Sequence, residues 1–158
     1  TSALMYLVLL GAELFSAALA LTQMPTELSR QVGSLGLSPI TIIGAILLIY
    51  LVLGCFMESL AMVLLTLPVF IPLILSLKLG MSPAQVLVWF GILVLVAVEV
   101  GMISPPFGLN LFVINAMAKD VPMVETYKGV IGFCVSDVIR LVLLVAFPAL
   151  VIWLPGVR

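Results

Sequence analysis

Apolar residues fill this chain in long runs, and the polar positions that interrupt them mark out its elements. Residues 1–22 are apolar around a central Glu13 and are long enough for a transmembrane helix, which needs about 20 such residues. Over 23–37 the pattern changes. Leu28, Val32 and Leu35 recur at helical spacing with Glu27, Arg30 and Gln31 between them, which predicts a short amphipathic helix or loop in the interface with Thr26 as N-cap. The apolar region 38–77 is interrupted only by GCFMES at 54–59, and Lys78, Gly80, Ser82 and Pro83 then mark a surface turn. A third apolar region covers 84–117, a polar loop 118–128, and a last transmembrane helix 129–154. Trp89 and Trp153 are predicted to be anchors at headgroup level.

Composition sharpens this pattern into a class. The chain is 65% hydrophobic and only 8% charged, whereas an ordinary soluble domain carries roughly 25% charged residues. An all-α membrane protein made of one compact bundle follows. Six Lys and Arg spread over the whole length form no basic face, so nucleic acid is not a partner. With no histidine at all, Ser-His-Asp and Cys-His catalysis, most zinc sites and histidine proton relays are excluded, and no enzyme is expected. Cys55 and Cys134 are read as small hydrophobes. The start TSALMYLVLL is already apolar and shows no signal-peptide pattern, and it is expected to lie inside a larger protein.

The densest chemistry is VEVGMISPPFGLNLFVI, Val98 to Ile114. Pro105 and Pro106 have no N–H, so the carbonyls of Gly101 and Met102 lose their helical partners. Gly101 and Gly108 relax the backbone, and the residues before each proline are pushed off helical angles, which predicts an unwound segment over 99–108. Non-helical backbone at membrane depth survives only when buried in protein or lining a wet cavity. Bare carbonyls beside the Ser104 hydroxyl suit a small hard cation, and the positive N-terminal end of a second half-helix near Gly108 to Asn110 suits a carboxylate. A simple kink without a ligand is the competing reading.

Pro68 and Pro72 are read as a bend that shapes packing, and Pro148 as a kink. GCFMES is open between a tight turn joining two full spans and the tip of a re-entrant hairpin that presents Met57, Glu58 and Ser59 to the core. Asp137 and Arg140, at i, i+3, are read as a local pair, and Glu13 and Glu99 as polar ties to another helix or subunit.

Three stretches, LGCFMESLAMVLLTLPVFIPLI, LGMSPAQVLVWFGILVLVAVEVGMISPPFGLNLFVI and the closing FPALVIWLP, resemble the C-terminal half of the large permease subunit of tripartite ATP-independent periplasmic (TRAP) transporters. The resemblance covers nearly the whole chain. It implies one inverted-repeat half of an elevator-type ion transporter, with a re-entrant helical hairpin and a broken transmembrane helix, in a multi-pass protein of the bacterial inner membrane. It implies import of small organic acids, such as C4-dicarboxylates or sialic acids, with Na⁺ as coupling ion and no cofactor. The implied partners are a small permease subunit, a periplasmic substrate-binding protein, the lipid bilayer and the missing N-terminal repeat. Sodium is then expected at Met57, Gly101, Met102 and Ser104, and Ser59, Gly108 and Asn110 are expected near substrate. The alternative is a non-transporting packing subunit or an inactive fragment.

Overall fold

The computed structural model describes residues 2–104, 108–117 and 121–153, with only the backbone described for Ser2, Leu4 and Leu109. The described residues are helical and contain no strand. Among the described residues, four helices are long and apolar enough to cross a membrane: α1 (Ser2–Thr22), α4 (Ser59–Ser76), α5 (Pro83–Ile103) and α7 (Met123–Ala146). Between them lie α2 (Met24–Ser34), α3 (Pro39–Gly54) and α6 (Leu109–Met117), and α8 (Ala149–Ile152) closes the described chain.

Local chemistry sets the helix boundaries. Gln23 has φ 52°, a left-handed conformation that ends α1 and turns the chain into α2. Thr26 therefore lies inside α2 and is not its N-cap, which corrects the expectation. Ser38 caps α3 by accepting the Thr41 N–H at 3.3 Å. Ser82 and Gln85 form a reciprocal capping box at the start of α5, with Pro83 at a position where its missing N–H costs nothing.

Two boundaries differ from expectation. Helical geometry in α5 continues to Ile103, so unwinding does not begin at Glu99. A proline withdraws a donor from the carbonyl four residues earlier and constrains the residue just before it; it does not melt the turns upstream. Ser104 accordingly adopts an extended conformation (φ −82°, ψ 142°) directly ahead of the prolines. Pro105 and Pro106 themselves lie outside the described residues, as do residues 118–120 of the expected polar loop and residue 154 of the expected last span. The rest of that loop also differs: α7 starts at Met123, with Glu125 in its first turn and a Glu125–Lys128 ion pair at 2.9 Å. Polarity there reflects the solvated end of a helix.

The core is organised around α5, which packs on α3, α4, α7 and α8. Tyr50 is fully buried; its hydroxyl pairs with Thr66 Oγ1 at 2.6 Å and its ring sits 5.5 Å from that of Phe70, which ties α3 to α4. Trp89 is also part of this core, at 2% exposure. Its indole N–H donates to the Leu144 carbonyl at 2.8 Å. Pro148, four residues on, cannot supply that carbonyl with its helical partner, so Trp89 takes the role. Trp89 is thus a buried cap and not a headgroup anchor, whereas Trp153 is exposed.

Candidate functional site

The turn between α3 and α4 meets the end of α5. At their crossing the two backbones touch: a Cβ added to Gly101 would lie 2.8 Å from Gly54 Cα and 2.8 Å from the Leu51 carbonyl oxygen. One residue beyond, the Cys55 thiol reaches toward the Ser104 carbonyl at 3.9 Å. Ser104 Oγ in turn donates toward Cys134 Sγ on α7 at 3.8 Å. The end of α5 is therefore held between the turn and α7.

The expected sodium residues fall into two groups. Gly101 and Ser104 are joined directly, the Gly101 carbonyl accepting the Ser104 N–H at 3.2 Å. That carbonyl is not bare, although an sp² oxygen keeps a second lone pair for a cation. Met57 is half-buried, and its N–H is engaged with the Leu53 carbonyl at 2.9 Å. The turn residues seen to touch the end of α5 are Gly54 and Cys55. Within GCFMES the residue expected at this site was Met57; that Gly54 and Cys55 make the contact is not written in the sequence, because nothing in the chain pairs residue 54 with residue 101.

Met102 faces another way, into a cavity of about 490 Å³ between α4, α5, α6 and α7. Ser59, Glu99, Asn110 and Asp137 also line it. Met102, expected with the sodium residues, thus shares this cavity with Ser59 and Asn110, expected near substrate, and with two carboxylates. Asp137 pairs with Arg140 at 3.0 Å, the local pair anticipated from their spacing. Gly108 is buried at φ 53°, and its carbonyl accepts the Leu111 N–H at 2.7 Å to open α6. An added Cβ there would sit 3.2 Å from the Ser104 carbonyl oxygen, so Gly108 is required both for its torsion and for its closeness to the end of α5. Asn115 on α6 accepts from Thr126 on α7 at 3.1 Å, which anchors the far end of α6.

Glu58 does not project freely from the turn. Its carboxylate caps α4, accepting the N–H groups of Leu60 at 2.9 Å and Ala61 at 3.0 Å, and Ser59 Oγ–H at 3.2 Å. Glu58→Ala is expected to cost about 1 kcal/mol, the usual worth of an N-cap; denaturation midpoints of the two proteins check it, and equal midpoints would show that the cap contributes nothing to stability.

Four candidate spans among the described residues, with a core helix that ends at Ile103 and a largely apolar cavity carrying a few polar side chains beside that end, define a multi-pass integral membrane protein. The chain belongs to the DctM-component family of tripartite ATP-independent periplasmic transporters, whose model matches residues 1–150. It is 32% identical to the C4-dicarboxylate TRAP transporter large permease protein DctM of Pseudomonas aeruginosa, over 94% of this chain and 33% of that protein. Against the sialic acid TRAP transporter large permease protein SiaM of Vibrio cholerae it is 30% identical, over 98% of this chain and 35% of that protein. The ectoine TRAP transporter large permease protein TeaC of Halomonas elongata is 28% identical over 97% of this chain and 34% of its own length. The chain spans about a third of the length of these relatives.

Proposed function

We propose that this chain is part of the membrane permease of a sodium-coupled secondary transporter that imports small organic acids across the bacterial inner membrane. A periplasmic binding protein delivers the substrate, and a small permease subunit and the remaining repeat of the large subunit complete the pathway. Within the chain, 38–77 is a re-entrant hairpin with its tip at 54–59, and α5 and α6 are the halves of a broken helix. The hairpin reading is supported by length: the 16 residues of α3 reach about 24 Å, short of the roughly 30 Å of hydrocarbon.

The observation that carries the sodium reading is the junction of this tip with the end of α5. The last carbonyls of α5 bear the negative end of the helix dipole, and the Ser104 hydroxyl adds a neutral oxygen. Glu99 borders the neighbouring cavity and favours positive charge at its edge, whereas Asp137 is already balanced by Arg140. A cation held between turn and helix makes the tip closed and the cavity hospitable to an acid, and this couples ion to substrate. The organic-acid class rests on the printed specificities of the C4-dicarboxylate and sialic acid relatives. Movement of the tip, α5 and α6 as one body past the rest of the transporter is the elevator step.

Sodium is expected to stabilise the complete transporter where potassium does not, by about 2.7 kcal/mol at a hundredfold excess over Kd. Ser104→Ala is expected to raise the sodium concentration for half-maximal protection about tenfold, which is the loss of one ligand of about 1.4 kcal/mol. Melting temperatures in NaCl and KCl series measure both. Unchanged sodium dependence in Ser104→Ala and in Gly101→Leu would overturn the assignment, and equal protection by both salts would favour a packing role without transport.

A further inference from the structure

Glu13, at the centre of α1, has no part in the transport reading. It lies about 14 Å from the nearer end of Ser2–Thr22 at 1.5 Å per residue. Because α1 is a candidate span, that depth is the hydrocarbon interior. A carboxylate there is costly and calls for a counter-charge. Among the described residues Glu13 has neither an ion pair nor a hydrogen bond.

The chain's own cations do not fill that need. Arg30 pairs with Glu27 at 3.0 Å, Lys128 with Glu125 at 2.9 Å and Arg140 with Asp137 at 3.0 Å. Lys78 follows the end of α4 at Ser76, and Lys119 and Arg158 fall outside every candidate span. Beside Glu13 the surface is a groove. A cavity of about 250 Å³ between α1 and α4 is lined by Leu9, Glu13 and Ser16 on one side and by Leu64, Leu67 and Pro68 on the other. Pro68 has no N–H, so the Leu64 carbonyl, which points along α4 toward it, lacks its helical donor. The groove therefore combines an unpaired carboxylate with a second acceptor, and a Lys or Arg head supplies several donors and the missing charge together.

We propose that this groove docks a transmembrane helix from outside the chain that carries Lys or Arg at mid-depth, and that its cation pairs with Glu13. Charge and depth select this occupant. An acyl chain brings no charge, and a lipid headgroup stays at the membrane surface. In a second copy of this chain the span cation among the described residues is Arg140, which Asp137 already holds. The long apolar stem of Lys or Arg suits the leucines of the groove while its head reaches Glu13. The proposal stands on α1 as a span and does not depend on the sodium assignment.

The test uses the complete transporter in its membrane. With p-benzoylphenylalanine in place of Leu9, about one turn from Glu13, irradiation is expected to capture a transmembrane peptide that contains Lys or Arg. Mass spectrometry identifies it. Glu13→Lys is expected to lower the cross-link yield at least about tenfold by setting like charges together. Changing the captured basic residue to Glu in that background is expected to restore the yield. Wild-type Glu13 is expected to escape dicyclohexylcarbodiimide, which modifies neutral carboxyl groups in membranes. Capture of lipid alone, of a span without a basic residue, or of α7 from a second copy overturns the proposal. Failure of the charge reversal to restore the cross-link does so too, as does carbodiimide modification of Glu13. The carbodiimide result needs no variant, so it decides the matter even where a substitution unfolds the protein.

Discussion

Gly101→Ala is expected to abolish uptake and to destabilise the protein by at least about 1–3 kcal/mol, the cost of overpacking a tight interface. The added methyl would lie 2.8 Å from Gly54 Cα and 2.8 Å from the Leu51 carbonyl oxygen. Both are backbone atoms and cannot rotate aside, so α3 and α5 must separate as whole helices. Separation also breaks the approach of Cys55 to Ser104, 3.9 Å apart, and parts the tip from the end of α5. Gly54→Ala should follow the same course more mildly, with its nearest contact at 3.0 Å. Gly44 and Gly91 are the controls: an added Cβ at either meets no atom within 4 Å, so alanine there should be neutral or slightly stabilising. Thermal melts of the four variants and, on the proposed function, uptake by the complete transporter measure the contrast. A Gly101→Ala protein that melts and transports like the wild type would show that the crossing tolerates a side chain.

Spans were legible because hydrocarbon demands long apolar runs, and α2 was legible because Leu28 and Val32 repeat at helical spacing beside Glu27 and Arg30. The extended conformation before Pro105 follows from a local clash, so Ser104 could be foreseen as the place where helical geometry stops. Gly101 was legible only as a flexible position. Its role at a backbone crossing depends on Gly54, and a single sequence carries no record of that pairing. The start of α7 was missed for a different reason: Glu125 and Lys128 were taken for loop residues, although Pro122 followed by an acidic residue within a turn also marks a helix start. Asp137 and Glu99 were each readable as costly membrane charges, but their shared cavity with Ser59 and Asn110 is a product of helix packing.

Trp89→Phe is expected to cost about 1–3 kcal/mol, the penalty for stranding a buried acceptor, and more if the Leu144 carbonyl faces hydrocarbon. Phenylalanine keeps most of the ring that fills the core but has no N–H for the Leu144 oxygen, which the indole now reaches at 2.8 Å. The debt arises because Pro148 cannot complete the helix: α7 ends at Ala146, Phe147 leaves helical angles at φ −125°, and the chain resumes as α8. Pro148→Ala restores an N–H that can serve Leu144 and lets α7 run into α8. In that background the indole is no longer the required donor, so Trp89→Phe should cost only the small change in packing. The double-mutant cycle is therefore expected to show a coupling of about 1–2 kcal/mol, far above the few tenths seen for independent sites. Denaturation midpoints of the four proteins measure it. Equal costs of Trp89→Phe in the two backgrounds would mean that Leu144 is satisfied by some other donor and that Trp89 contributes through its ring alone.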